Sequence, residues 1–276
     1  MHALASRFSR NRVSYRSDAP MTDDKLREIA PSIFAEQPHD SRSERYAYIA
    51  TAEILSRLRK EGFQPFMVAQ TKVRDDARRE HTKHMLRLRH PSQINGTEAN
   101  EIILLNSHDG SSAYQMLAGC FRFVCANGMV CGDLSSDIRV PHKGDVVDRV
   151  VTGAYEVLDG FTRVIEEREG MKSLPLNEAE QAAFGRAALA LKYDTDVAPA
   201  PITERQILAP RRAADAASDL WTTFNRVQEN LVRGGLPART ATGGRTRTRE
   251  VAGIDQGVKL NRALWVLATE MQKIRR

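Results

Sequence analysis

Three residues that together could form a hydrolase triad stand side by side in this chain, as Ser107-His108-Asp109. A triad needs a nucleophile, a base and an orienting acid that touch one another. Consecutive side chains of an extended chain point to opposite faces, so these three cannot form that relay among themselves. Asp109 is followed by Gly110, and Asp-Gly accepts the positive φ angles of a tight turn. The sequence therefore predicts a hairpin turn here.

Cysteine and histidine are the usual ligands of zinc, and both occur in the middle of the chain. The three cysteines follow a Cys-x4-Cys-x5-Cys spacing from Cys120 to Cys131, with His108 and His142 nearby. Structural zinc sites use closely spaced Cys-x2-Cys pairs instead. A histidine cluster in residues 81–90 stands in a strongly basic segment, which disfavours a cation. We predict buried thiols and no metal.

Other catalytic patterns are also missing from the sequence. It contains neither Gly-x4-Gly-Lys-Ser/Thr nor Gly-x-Gly-x-x-Gly, so it predicts no nucleotide cofactor. The carboxylates are scattered, and we assign no catalytic residue. An enzyme whose acids converge only in the folded chain remains an alternative. Its mark would be Asp or Glu side chains clustered with His108 or His142 in a pocket.

Arginines and tyrosines favour a different function, the binding of nucleic acid. They alternate in residues 41–48, and a basic stretch runs from residue 72 to residue 89. Arg87 and Arg89 are two apart on a predicted strand, so they share one face. Such a face would neutralise phosphates, and tyrosines beside it would stack unpaired bases. The candidate backbone contacts are Arg42, Arg45, Lys72, Arg74, Arg87 and Arg89, and the stacking candidates are Tyr46 and Tyr48.

A simpler interpretation of the predicted arginine face is open as well. Half-exposed strands commonly carry charged residues on their water-facing side, and Arg87 and Arg89 would then have no ligand. The Arg-rich segment 236–254 has the same two interpretations, as a second nucleic-acid contact or as a solubilising loop.

Composition sets outer limits on the type of protein. The chain has 276 residues, of which 41% are hydrophobic, and a formal net charge of +6. These values predict one large domain, or one with a satellite, and are compatible with a nucleic-acid partner. No apolar run reaches the length of a membrane helix, no secretory signal is visible, and the cysteine count is odd. We therefore expect a cytoplasmic protein without a membrane partner.

Hydrophobic periodicity predicts an α+β fold: a curved antiparallel β-meander crossed by a long helix, then a helical C-terminal half. Residues 49–61 form a predicted helix with Thr51 as its cap and Gly62 as its stop. The predicted strands are 63–74, 84–89, 121–130 and 138–141, with a hairpin at 101–117 and a second turn at Asn95-Gly96. We expect one face of this sheet to be solvated.

The long helix, residues 145–169, would be roughly 36 Å long. Further helices are predicted at 213–232 and 255–274 and after Asn177, where Glu180 completes a capping box. Trp221, Phe224 and Trp265 of the first two are predicted to face the core, with a subunit interface as the alternative. The predicted divisions are an N-terminal arm and short helix (1–40), an α+β core (41–170), and a helical region (171–276) with a mobile basic loop at 236–254.

Long motifs of the chain resemble a known family. They are SRSERYAYI (41–49), EGFQPF (61–66), KHMLRLR (83–89), QING (93–96), EIILLNSHDGSSAYQM (101–116), NGMVCG (127–132), VPHKG (140–144) and GAYEVL (153–158). The family is the uncharacterised YfjQ/YafZ-like proteins of bacterial plasmids and prophages, also called domain of unknown function 932. The resemblance implies a mobile-element setting and carries over no activity or catalytic residues.

A second resemblance concerns architecture alone. The order of helix, basic β-meander and long helix resembles single-strand annealing proteins of the RecT/Redβ type, which form rings or filaments. That resemblance implies a homo-oligomer that binds single-stranded DNA, either with or without annealing of complementary strands, and RNA is an alternative ligand. The alternative is a non-catalytic protein-binding regulator, such as an inhibitor of a host defence or repair protein.

Overall fold

The computed structural model describes residues 12–42, 46, 48–73, 75–132, 137–140, 147–195 and 197–275. The fold is α+β, as the sequence predicts. It comprises two compact units. Unit 1 takes the described residues within Met1–Arg122, Leu134–Phe161 and Ala252–Ile254, and unit 2 those within Phe123–Asp133, Thr162–Val251 and Asp255–Arg276.

The main sheet is antiparallel and curled into a half-barrel, which confirms the predicted curved meander. Its strands are β1 (Arg12–Arg16), β2 (Gln64–Thr71), β3 (His84–Asn95), β4 (Glu98–Asn106), β5 (Tyr114–Arg122), β6 (Asn127–Val130) and β7 (Ile138–Val140). Their order is β1-β2-β3-β4-β5-β6, and β7 also pairs with β5. Gly96, with φ of +59°, occupies the predicted Asn-Gly turn between β3 and β4.

Both faces of the central strands are buried, so the prediction of one solvated face is wrong. All nine residues of β4 are buried. On β3, Leu86 and Leu88 are completely enclosed on one face, and Arg87 and Arg89 on the other are only 5% and 3% exposed. The apolar and the basic residues that alternate along β3 therefore face two different buried layers. Neither set faces solvent.

Two helices come before β2 in unit 1. They are α1 (Asp23–Ile29), which is followed by a 3-10 turn at Pro31–Phe34, and α2 (Thr51–Lys60). The cap of α2 is Ala50 and not Thr51, because Thr51 is already helical and its hydroxyl lies 2.9 Å from Nε2 of His84 on β3. The predicted stop is confirmed, since Gly62 follows the helix with φ of +91°.

The predicted long helix is α3 (Val147–Lys172), about 39 Å long at 1.5 Å per residue. Its first part belongs to unit 1 and approaches the sheet closely at Gly153. A Cβ atom there would lie 2.5 Å from Cε of Met116 and 3.0 Å from Cγ2 of Ile138. A side chain at this position would therefore require the end of the Met116 side chain to move.

Unit 2 is mainly helical. Its helices besides the end of α3 are α4 (Glu178–Lys192), α5 (Glu204–Leu208), α6 (Leu220–Arg233) and α7 (Ile254–Ile274). The predicted capping box is present, with the Glu180 N–H donating to Asn177 Oδ1 at 2.9 Å and the Asn177 N–H donating to Glu180 Oε2 at 2.8 Å. The aromatic residues of α6 and α7 form the core of this unit, as predicted: Trp221, Phe224 and Trp265 are each at most 2% exposed.

The segment predicted as a basic loop contains regular structure. Residues Pro237–Arg239 form β8 and residues Arg245–Arg247 form β9, an antiparallel hairpin within unit 2. Cys120, Cys125 and Cys131 are buried thiols without disulfide bonds, as predicted. In the described part of the chain, no helix combines the length and apolar character needed to cross a bilayer.

Candidate functional site at the signature turn

Three segments of unit 1 meet where β4 ends, and backbone hydrogen bonds join them. The His39 N–H donates to the His108 carbonyl at 3.0 Å, and the His108 N–H donates to the His81 carbonyl at 2.9 Å. The segment after β2 is tied in as well, through the Thr71 N–H and the Lys83 carbonyl. We call this region, the described residues within 38–48, 71–83 and 107–112, the signature end.

The turn itself is the one that the sequence predicts. Gly110 has φ of +74°, and Asp109 Oδ1 accepts a hydrogen bond from the Ser111 N–H at 2.9 Å. Burial raises the pKa of Asp109, but hydrogen bonds from Ser111 and Ser107 outweigh it, so the pKa lies below its ordinary range. Ser107 Oγ accepts from the Ser112 N–H at 2.9 Å. These side chains hold the turn, which leaves no role for a Ser-His-Asp relay.

A buried network of polar side chains surrounds His84, and the partners of each group determine which atom donates and which accepts. Gln70 Oε1 accepts from both the N–H and the hydroxyl of Ser32, so Ser32 Oγ must accept from Nδ1 of His84, 2.9 Å away. Nε2 of His84 is then the acceptor for the Thr51 hydroxyl. The Asn106 amide donates to that hydroxyl at 2.9 Å. Burial lowers the pKa of His84 to about 4, which keeps this ring neutral.

Tyr46 and Tyr48, the predicted stacking residues, both lie at the signature end. The Tyr46 hydroxyl donates to the Ser107 carbonyl at 2.9 Å, and the Tyr48 hydroxyl donates to the Ala35 carbonyl. The Tyr48 ring lies 4.9 Å from the His108 ring, measured between centroids. Both tyrosines are half-buried. Each ring is therefore tethered at its hydroxyl, so a ligand would meet it already ordered.

Two of the predicted cationic side chains, Arg42 and Lys72, are exposed in this region. Arg42 is exposed, and its guanidinium lies directly over Gly110, because a Cβ atom there would be 2.3 Å from Nη1 of Arg42. Lys72 is exposed just after β2. Arg45 and Arg74, which the sequence also nominates, lie outside the described residues.

Arg87 and Arg89 lie elsewhere, and this corrects their predicted position on a surface. Both donate to the carboxylate of Glu101 on β4, Arg89 at 2.8 Å, and the Glu101 side chain is 0% exposed. Burial raises the pKa of Glu101, but the two arginines outweigh it and hold the pKa below its usual range. The Arg89 guanidinium also lies 4.4 Å from the Phe66 ring centre and 4.1 Å from that of Phe121. In this fold the two arginines serve the core and are not accessible to a phosphate.

The titratable groups of the signature end suit ligand binding better than acid–base catalysis. Burial lowers the pKa of His84 to about 4 and raises those of Tyr46 and Tyr48 to about 12. These three groups therefore keep one protonation state near pH 7, where a general acid or base would need to change it. What remains at the surface is Arg42 beside the half-buried tyrosine rings, with Lys72 exposed on the segment that follows β2.

Sequence spacing missed that histidines gather here. His39 and His81 have ring centroids 5.3 Å apart, and His84 and His108 are 5.2 Å apart. They come from three separate segments, so local spacing relates only His81 and His84. Within the described residues, no three His, Cys, Asp or Glu side chains are placed to hold a metal ion; His142 lies outside those residues.

Comparisons with known proteins show the family to which the chain belongs. Residues 38–265 match the family model described as "Domain of unknown function (DUF932)". The chain is 58% identical to UPF0380 protein YfjQ and 57% identical to UPF0380 protein YafZ, both of Escherichia coli strain K12, with 97% of each chain covered. The chain belongs to this family, as its motifs predict. No solved structure matches it significantly.

Proposed function

We propose that this protein binds single-stranded nucleic acid at the signature end. The observation that carries the proposal is the grouping of exposed Arg42 with two tyrosine rings, Tyr46 and Tyr48, that are tethered at their hydroxyls. Stacking on an aromatic ring contributes about 1–3 kcal/mol per base. Rings that are ordered in advance avoid part of the entropic cost of binding. Arg42 and Lys72 would neutralise the neighbouring phosphates.

The proposal extends to the setting of the protein. The resemblance of its motifs implies a plasmid or prophage setting, so the proposed ligand is single-stranded DNA of a mobile element. A ring or filament of copies that anneals complementary strands in the cytoplasm would follow from the architectural likeness to annealing proteins. The net charge of +6 favours such a partner.

Fluorescence anisotropy with a labelled oligodeoxythymidylate tests the proposal, with duplex DNA and oligouridylate as comparators. We expect salt-sensitive binding that prefers single strands. The Tyr46→Ala/Tyr48→Ala variant should bind at least about thirtyfold more weakly, which corresponds to the loss of two stacking contacts of about 1 kcal/mol each. Tyr155→Ala, which removes a 43% exposed tyrosine of α3, is the matched control.

A second pair of variants covers the case in which loss of the tyrosines unfolds the turn. Arg42→Ala should weaken binding and reduce its salt dependence, whereas Arg57→Ala, at a 44% exposed arginine on α2, should do neither. Thermal unfolding of each variant checks that the fold is intact. Absence of single-strand binding at low salt would overturn the proposal and leave the protein-binding regulator as the alternative, for which a pull-down against host proteins is the next experiment.

A further inference from the structure

Unit 2 presents a second basic feature, the β8–β9 hairpin. Its turn is closed by the Thr240 N–H, which donates to the Gly244 carbonyl at 2.9 Å, and by Gly243, whose φ is +83°. The chain leading into and out of the hairpin is also paired, with the Gly235 N–H donating to the Thr248 carbonyl at 2.8 Å. The arginines of this segment therefore stand on a defined scaffold.

The register of the hairpin gathers three arginines on one side. Arg239 pairs with Arg245, and Pro237 pairs with Arg247, so these residues share a face. The opposite face carries Ala238, which is 8% exposed. All three arginines are exposed. Ala238 is thus covered, whereas its partner Thr246 on the same face is exposed, and the other face presents three guanidinium groups.

This arrangement is unfavourable without a ligand. Like charges directly across two strands destabilise a hairpin, and Arg239 faces Arg245 in this way. Residues 236–249 contain four arginines and no Asp or Glu. Arg239 and Arg247 each donate from Nη1 to a hairpin carbonyl, at 3.3 Å to Gly243 and at 2.8 Å to Gly235. A guanidinium has five N–H donors, so these contacts orient the groups and leave donors for an anion.

The arginine face borders a groove of about 720 Å³ between the hairpin and residues 199–206. Two hydrogen bonds fix its sides, from the Arg239 N–H to the Pro201 carbonyl at 3.1 Å and from the Gln206 side chain to the Pro237 carbonyl at 2.7 Å. Pro199, Pro201 and Ile202 contribute apolar surface. None of the described residues lining the groove carries a carboxylate. Its volume is within the range of pockets that hold small organic ligands.

We propose that this groove is a second binding site, which takes the phosphodiester backbone of single-stranded nucleic acid on Arg239, Arg245 and Arg247. Arg245 and Arg247 are two residues apart on a strand, about 7 Å, so the cations form a row that suits a polymer with repeated charges better than a single phosphate. The apolar side of the groove gives the bases a surface. The proposal rests on the proposed function and adds a contact that is remote in sequence from the signature end.

The test is the salt dependence of oligodeoxythymidylate binding by the full-length chain. Each phosphate neutralised on a single strand contributes about 0.7 to the slope of log K against log salt, so Arg239→Ala/Arg245→Ala/Arg247→Ala should lower the slope by about 2. The corresponding triple Lys variant should keep most of the slope. The matched control replaces three exposed cations elsewhere, Arg57, Arg163 and Lys273, by Ala.

The outcomes separate this inference from the proposed function. A reduced slope in the hairpin variant alone supports the groove as a backbone site. If the wild type binds and the hairpin variant has the same slope of log K against log salt, the groove is not a binding site, and the proposed site at the signature end is unaffected. An equal loss in the hairpin variant and the control overturns it too, because only net charge would then matter. Failure of the wild type to bind single strands at low salt overturns both proposals, and equal affinity for duplex DNA overturns the choice of a single strand.

Discussion

Replacing Glu101 by Gln is the sharpest test of how this sheet is built. The Glu101 carboxylate is fully buried and is shared by Arg87 and Arg89, which are also buried. The Gln side chain keeps the shape but removes the charge, so two guanidinium groups would stay in the core without their counterion. Breaking a buried ion pair from one side costs about 3–5 kcal/mol. We expect Glu101→Gln to lower the free energy of unfolding by that amount.

This loss is a large part of the 5–15 kcal/mol that stabilises an ordinary domain. It corresponds to a fall in the melting temperature of about 6–20 °C for a chain of this size. Thermal and urea unfolding followed by circular dichroism would measure it. The control is the triple variant Arg87→Met/Arg89→Met/Glu101→Met, which removes these three buried charges together. It should be clearly more stable than Glu101→Gln, because well-packed apolar residues often replace a buried ion cluster at no cost.

The pH dependence of the same variant supplies a second check. The pKa of Glu101 in the folded chain lies below its ordinary value of 4.5, so its ionisation stabilises the fold above about pH 4.5. That contribution is lost as the pH falls through the folded pKa. The difference in stability between the wild type and Glu101→Gln should therefore shrink below pH 4.5.

Two results would refute this account. One is a Glu101→Gln variant whose unfolding free energy lies within about 1 kcal/mol of the wild type, the usual range for a surface substitution. The other is an Arg87→Ala/Arg89→Ala variant that keeps its melting temperature and loses affinity for single strands. The second result would return both arginines to the surface role that the sequence predicts for them.

Three further substitutions test other parts of unit 1 and unit 2. The pKa of His84 in the folded chain, about 4, lies below the ordinary value of 6.5. The free energy of unfolding of the wild type should therefore fall by up to about 3 kcal/mol as the pH drops from 6.5 to 4. In His84→Gln this dependence of unfolding free energy on pH, measured by urea titration, should be weaker. Gly110→Ala should lower the free energy of unfolding by more than the about 1–2 kcal/mol expected for its positive φ, because the new methyl group displaces Arg42. The same displacement should weaken single-strand binding. Gly96→Ala, also at a positive φ but with open space around the new Cβ atom, should lose only the backbone contribution. Asn177→Ala should lower the stability of unit 2 by about 1 kcal/mol in thermal unfolding, while Asn177→Asp should stay within a few tenths of the wild type.

Local features of this protein were predictable from the sequence. The turns at Gly96 and Gly110, the helix stop at Gly62 and the capping box at Asn177 all match the structure. Each of these features depends on residues within a few positions of one another, because backbone φ angles and capping hydrogen bonds are determined by neighbouring residues. The periodicity of α3 and the aromatic core of unit 2 were predictable for a related reason, because an apolar stripe at helical spacing must be buried somewhere. The long motifs also identified the family.

Only the tertiary structure decided where the charged residues of the middle strands lie. A strand pattern of alternating Leu and Arg shows that two faces differ, but not what covers either of them. Glu101 is directly opposite Arg89 across β3 and β4, and this pairing lets the arginines be buried. The histidines of the signature end and the arginine face of β8–β9 depend in the same way on contacts between separate segments. Such contacts are set by strand register and packing, which no spacing along a single segment encodes.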